Sequence, residues 1–79
     1  MMNRKIKKTE RQFVVCVRNE DCEDLKVRKI YEVLPDRLAA EDGYIRIVDE
    51  SDEDYLYPDE FFLPIELSQT VETALLLAA

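Results

Sequence analysis

The sequence predicts a mainly β domain: a small five-stranded barrel closed by a short C-terminal helix. Three observations point there. Five short runs rich in β-branched and aromatic residues recur along the chain, with turn-forming residues between them. The one stretch with helical spacing and a capping residue comes last. A chain of 79 residues has room for a single domain, and closure removes the edges that so small an open sheet would leave exposed.

The elements follow in order. Residues 1–11 hold Arg4, Lys5, Lys7, Lys8 and Arg11 against Glu10 alone, which predicts a flexible basic arm. Residues 12–66 form the barrel. Phe13-Val14-Val15-Cys16-Val17 is a continuous apolar run and suits a buried strand. Asn19 to Asp24 is polar and reads as a loop. Leu25 and Val27 alternate with Lys26 and Arg28 before the second strand, Ile30 to Leu34, which Pro35 ends. Asp36 to Asp42 is a loop with one helical turn. Gly43, the single glycine, stands where a turn into a strand calls for a positive φ. Tyr44-Ile45-Arg46-Ile47-Val48 is the third strand, with Ile45 and Ile47 on one face. Asp49 to Asp54 is an acidic hairpin loop and Tyr55-Leu56-Tyr57 the fourth strand, in which Leu56 is expected in the core. Pro58-Asp59-Glu60 turns the chain into the last strand, Phe61 to Ile65. Residues 67–79 form the C-terminal helix. Ser68 caps it, and Leu67, Val71 and Leu75 make a stripe able to dock on the barrel or on a partner.

Net charge is −7, unevenly spread. Residues 1–18 carry six basic side chains against one acid; the remainder carries five against 17. An acidic body disfavours nonspecific binding to nucleic acid, because phosphate contacts need Lys and Arg. It favours basic partners instead. No apolar run approaches the length of a membrane span, and the basic start leads into Thr9-Glu10-Arg11-Gln12 rather than an apolar segment, so neither a membrane helix nor a secretory signal is predicted. The expected location is the cytoplasm, with Cys16 and Cys22 as reduced thiols.

Several pieces resemble SH3 domains. Glu23-Asp24-Leu25-Lys26-Val27-Arg28-Lys29-Ile30-Tyr31-Glu32-Val33-Leu34 resembles their diverging turn and second strand, Gly43-Tyr44-Ile45-Arg46 their third strand, and Leu56-Tyr57-Pro58-Asp59-Glu60-Phe61-Phe62 their closing strand, 3-10 turn and last strand. The order matches over residues 13–65. The segment from Asp49 to Pro58 also looks like that of small bacterial SH3-like proteins with no assigned activity. The resemblance implies a groove for proline-rich peptides, with Pro58 and Phe61 at two groove positions, Tyr44 at a third, and Glu20, Asp21, Glu23 and Asp24 as the acidic loop that meets a ligand's arginine. The chain departs from the pattern in its first strand, where Cys16 and Arg18 stand in place of groove tyrosines, and it has no Trp.

Catalytic constellations are lacking. With no His there is no Ser-His or Cys-His pair, and the acids fall in runs that read as solvated loops, so no enzyme activity and no cofactor are expected. Asp49, Ser51, Glu53 and Asp54 lack the glycine and the distal Glu of a calcium loop, and two cysteines without histidine are too few for zinc. The tyrosines either cover the core or form an exposed face that anchors a basic partner. Leu77-Ala78-Ala79 is similar to the end of the tag that marks stalled bacterial chains for proteolysis; a docked or dimer-forming helix explains the same residues. The leading expectation is an interaction module that takes a basic peptide or protein through Glu20, Asp21, Glu23, Asp24, Tyr44, Tyr55, Tyr57, Pro58 and Phe61. The alternatives are a nucleic-acid-associated or phosphate-mimicking regulator, and a structural homodimer formed through Leu75, Leu76 and Leu77.

Overall fold

A computed structural model of the protein describes residues 11–78, so the basic arm before Arg11 lies outside the described residues, as does Ala79. Arg11 itself is tied to the body, donating to Glu32 at 2.7 Å. The first apolar run becomes β1 (Gln12–Cys16). It stops before Val17 because the N–H groups of Val17 and Arg18 leave the ladder and donate to the carbonyl of Phe61, at 2.8 and 3.3 Å. Val14 and Cys16 point into the core with Leu25, Tyr31, Val33, Ile47, Phe61 and Phe62. Phe13 lies on the other face and is buried as well. A strand covered on both sides needs the unbroken apolar run that the sequence shows.

β2 (Ile30–Val33), β3 (Tyr44–Val48), β4 (Asp54–Pro58) and β5 (Phe62–Ile65) complete one antiparallel sheet in the order β4-β3-β2-β1-β5. β1 takes β2 on one side and β5 on the other. The expected closure into a barrel is not observed: the sheet is open, with β4 and β5 as its edges. Proline blunts both edges, at the end of β4 (Pro58) and inside β5 (Pro64). A residue without an N–H cannot donate to an added strand.

The hairpin β3–β4 corrects the expectation for Leu56. Its register sets Ile45 against Tyr57, Ile47 against Tyr55 and Arg46 against Leu56. Ile47 is fully buried and Tyr57 packs against the core, so the tyrosines share the inner face, although Tyr55 keeps 49% of its surface exposed; Leu56 goes to the outer face with 45% exposed. Alternation fixes which residues share a face; only the partner strand fixes which face is inside.

Between β2 and β3 the expected helical turn is α1 (Arg37–Glu41). Asp36 caps it by accepting from the Ala39 N–H at 3.0 Å. Gly43 ends it with φ +83°, its N–H donating to Ala40 O at 3.1 Å. A 3-10 turn (Asp59–Phe61) connects β4 to β5. α2 (Gln69–Ala78) is capped as expected, with Val71 N–H donating to Ser68 Oγ at 3.2 Å. Leu75 and Leu76 line a cleft with Phe13 and Ile30, while Val71 and Leu77 stay exposed. Only part of the expected stripe is used. Both cysteines are free thiols.

Candidate functional site

The start of β3 and the end of β4 are paired, Tyr44 against Pro58, and this brings together two turns that are far apart in sequence. The Asp59 N–H donates to the Gly43 carbonyl at 2.9 Å, locking the turn after α1 to the 3-10 turn. The result is a shallow concavity lined by Asp42, Gly43, Tyr44, Pro58, Asp59 and Glu60. Tyr44 is 45% exposed. Among the described residues, the carboxylates of Asp42 and Asp59 enter no ion pair and no side-chain hydrogen bond. An exposed aromatic ring and a proline beside solvated carboxylates make a surface suited to apolar contact with a cationic chain.

Glu60 continues this surface toward the loop after β1. There Arg18 lies over the ring of Phe61, with its guanidinium carbon 5.5 Å from the ring centroid. Its Nε donates to Glu20 at 3.1 Å and its Nη1 lies 3.6 Å from Glu60. A hydrogen bond from its own backbone and the one from Arg18 hold the Glu20 carboxyl below its ordinary range. Phe61 is therefore a core residue whose remaining face is covered by Arg18. Asp21, Glu23 and Asp24 are exposed on the same loop.

The far end of the β3–β4 hairpin, about 13 Å away for four residues of strand, uses the same residue types differently. Asp49 is buried; it accepts from Ser51 N–H and Oγ at 2.9 and 2.6 Å and from the Tyr57 hydroxyl. Burial pushes its carboxyl up, but the hydrogen bonds from Ser51 and Tyr57 prevail and hold it below the usual range. Tyr57 is half-buried, edge-on to Phe62 with centroids 6.3 Å apart. Burial and the Asp49 carboxylate raise its hydroxyl far above normal. Next to it, buried Tyr31 donates to Glu50 at 2.6 Å and accepts from the Lys26 N–H at 2.8 Å, so burial and Glu50 raise its hydroxyl too. Lys29 pairs with Glu50 at 3.0 Å. The Glu50 N–H donates to the Asp24 carbonyl at 3.0 Å, which ties this hairpin to the acidic loop. Tyr55 is 49% exposed and donates to Glu53. This hydrogen bond, and then the charge on Glu53, raise its hydroxyl.

The residues singled out from the sequence thus fall into three places. Tyr44 and Pro58 line the concavity. Glu20 and Phe61 bracket Arg18. Tyr55 lies toward the opposite end of the hairpin, where Tyr57, whose backbone is next to Pro58, sends its hydroxyl to Asp49 and where the Asp24 carbonyl is tied to Glu50; Asp21 and Glu23 are exposed on the loop that Asp24 belongs to. Sequence reasoning missed Asp42, Asp59 and Glu60 as members of the site. A local signal existed, since Asp42 flanks Gly43, Asp59 flanks Pro58 and Glu60 follows in the same turn, but the Tyr44–Pro58 pairing that unites them is a tertiary fact. It also missed Arg18, whose partners lie on two segments. Among the described residues, no three His, Cys, Asp or Glu side chains converge on a point suited to a metal ion, and no helix is long and apolar enough to cross a membrane. No family model, curated protein or solved structure matches the chain.

Proposed function

We propose that this protein is a non-catalytic interaction module of SH3-like architecture that binds a basic peptide or protein segment through the concavity at Tyr44 and Pro58. The observation that carries this reading is the exposed Tyr44 ring beside Asp42 and Asp59, whose carboxylates make no side-chain contact with any described cation. Residues 11–79 hold 17 acidic against seven basic side chains, and four of those seven are already in ion pairs. Charge complementarity therefore favours a cationic ligand and speeds its encounter. The architecture is supported by five antiparallel strands with a 3-10 turn before the last one. The hydrogen bond from Glu50 to Asp24, which joins the loop resembling a diverging turn to the β3–β4 hairpin, supports it further.

The test is calorimetric titration with a short lysine- and arginine-rich peptide at low and at high salt. Binding should weaken as salt rises, because the acids are solvated. Tyr44→Ala and the double change Asp42→Asn with Asp59→Asn should each weaken it at low salt. Binding that ignores both the salt and these variants would overturn the reading. The same acidic surface supports a second reading, a phosphate mimic that blocks a nucleic-acid-binding protein; competition between this chain and DNA for such a protein in a gel-shift assay separates the two.

A further inference from the structure

Arg18 is the one described cation that lies on an aromatic face between carboxylates of two different segments. Glu20 belongs to the loop after β1, and Glu60 to the 3-10 turn. The two segments are held to each other by backbone, through the Val17 and Arg18 N–H groups on the Phe61 carbonyl, and the loop after β1 is itself closed by the Cys22 N–H on the Asn19 carbonyl at 2.9 Å. None of these bonds uses the Arg18 side chain. Its own grip is light. It is 48% exposed, makes one contact to each carboxylate, and leaves the other three guanidinium N–H groups to solvent. The framework thus keeps its shape when the guanidinium leaves, and what it then offers is the face of Phe61 flanked by two acids. Glu60 also lines the Tyr44–Pro58 concavity, so the two surfaces are continuous.

We propose that Arg18 is an internal occupant of a guanidinium seat formed by Phe61, Glu20 and Glu60, and that an arginine side chain of the bound peptide displaces it. This rests on the reading of the concavity as a basic-peptide surface and adds a specificity and a restraint to it. The specificity is for arginine over lysine, since a planar guanidinium stacks on a ring while spanning two carboxylates and a compact ammonium does not. The restraint is competitive. A seat filled from within lowers the apparent affinity by the fraction of time it is open.

The experiment compares two short blocked peptides, one alternating arginine with serine and one alternating lysine with serine, against the full chain and Arg18→Gln. Glutamine keeps the stem of the side chain and removes the charge; thermal melts of both proteins confirm equal folding, and Arg18→Lys serves as the second variant. The arginine peptide should bind Arg18→Gln about two- to fivefold more tightly than wild type, the span expected of one exposed cation–π contact. Arg18→Lys should fall between. The lysine peptide should gain less than the arginine peptide. Equal affinity of the arginine peptide for wild type and Arg18→Gln overturns the proposal, as does an equal gain for both peptides. If the peptides bind wild type in a salt-dependent way while Arg18→Gln changes nothing, this inference fails and the basic-peptide reading stands. If no peptide binds either protein, both fail together.

Discussion

The two ends of the β3–β4 hairpin are built from the same materials and do different things. At one end Asp49 and Glu50 are tied to Tyr57, Ser51, Tyr31 and Lys29. At the other, Tyr44 and Pro58 stand beside Asp42 and Asp59 with no such ties among the described residues. The difference lies in burial. Asp49 is only 4% exposed, so its charge persists there through its hydrogen bonds. Asp42 and Asp59 stay in water and need no partner. An acid next to a tyrosine is therefore a structural pin in one place and an open contact surface in the other, and composition does not tell them apart.

The sharpest way to break this comparison is to remove one acid at each end. Asp49→Ala leaves the Tyr57 hydroxyl half-buried without its acceptor and frees the Ser51 turn, and should destabilise the fold by about 2 kcal/mol in denaturant unfolding. Asp42→Ala and Asp59→Ala should leave the unfolding midpoint nearly unchanged and weaken peptide binding. Equal losses of stability at both ends would erase the distinction.

A smaller effect concerns the turn that shapes the concavity. Gly43→Ala meets no atom within 4 Å of the new Cβ, so its cost is that of the backbone at φ +83°, about 1 kcal/mol. A change well above that would mean that the lock between the Gly43 carbonyl and Asp59 is lost as well.

The last prediction is a pH dependence to which the pinned end contributes. Hydrogen bonds lower the pKa values of Asp49 and Glu50 in the folded state: those from Ser51 and Tyr57 prevail over burial at Asp49, and those from Tyr31 and Lys29 act at Glu50. Groups of this sign contribute their stability fully above their unfolded values, 3.8 and 4.5, and lose it as pH falls through the lower folded values. Unfolding midpoints should therefore be flat from pH 7 to about 5 and drop below about 4. Asp49→Asn should flatten that drop; if it does not, the pinned end is not its source.

Much of the fold was legible in the sequence because local chemistry dictates it. The unbroken run at Phe13–Val17 reads as a buried strand, Asp36 to Asp42 as a loop with one helical turn, Ser68 as a cap and Gly43 as a positive-φ turn; β1 holds the run as far as Cys16, and the other three are found so. Leu56 was not legible, since alternation leaves the choice of face to the partner strand, and Ile45 and Ile47 on β3 made it. Nor was the open sheet, because whether β4 and β5 meet depends on how the 3-10 turn carries the chain between them.

The candidate site divides along the same line. By itself the sequence determined the excess of acid, the lack of histidine and the few tyrosines and turns available for contact, since composition and spacing are properties of the chain. Only the tertiary structure decided which of these residues are buried and which stay exposed together at one surface. It buried Phe61 and put Arg18 over its ring, turned Tyr57 inward onto Asp49, and set Tyr44 beside Asp59 through the strand pairing with Pro58. The physical reason is that a side chain's role follows from its solvation and its neighbours, and both are fixed by contacts between segments distant in sequence.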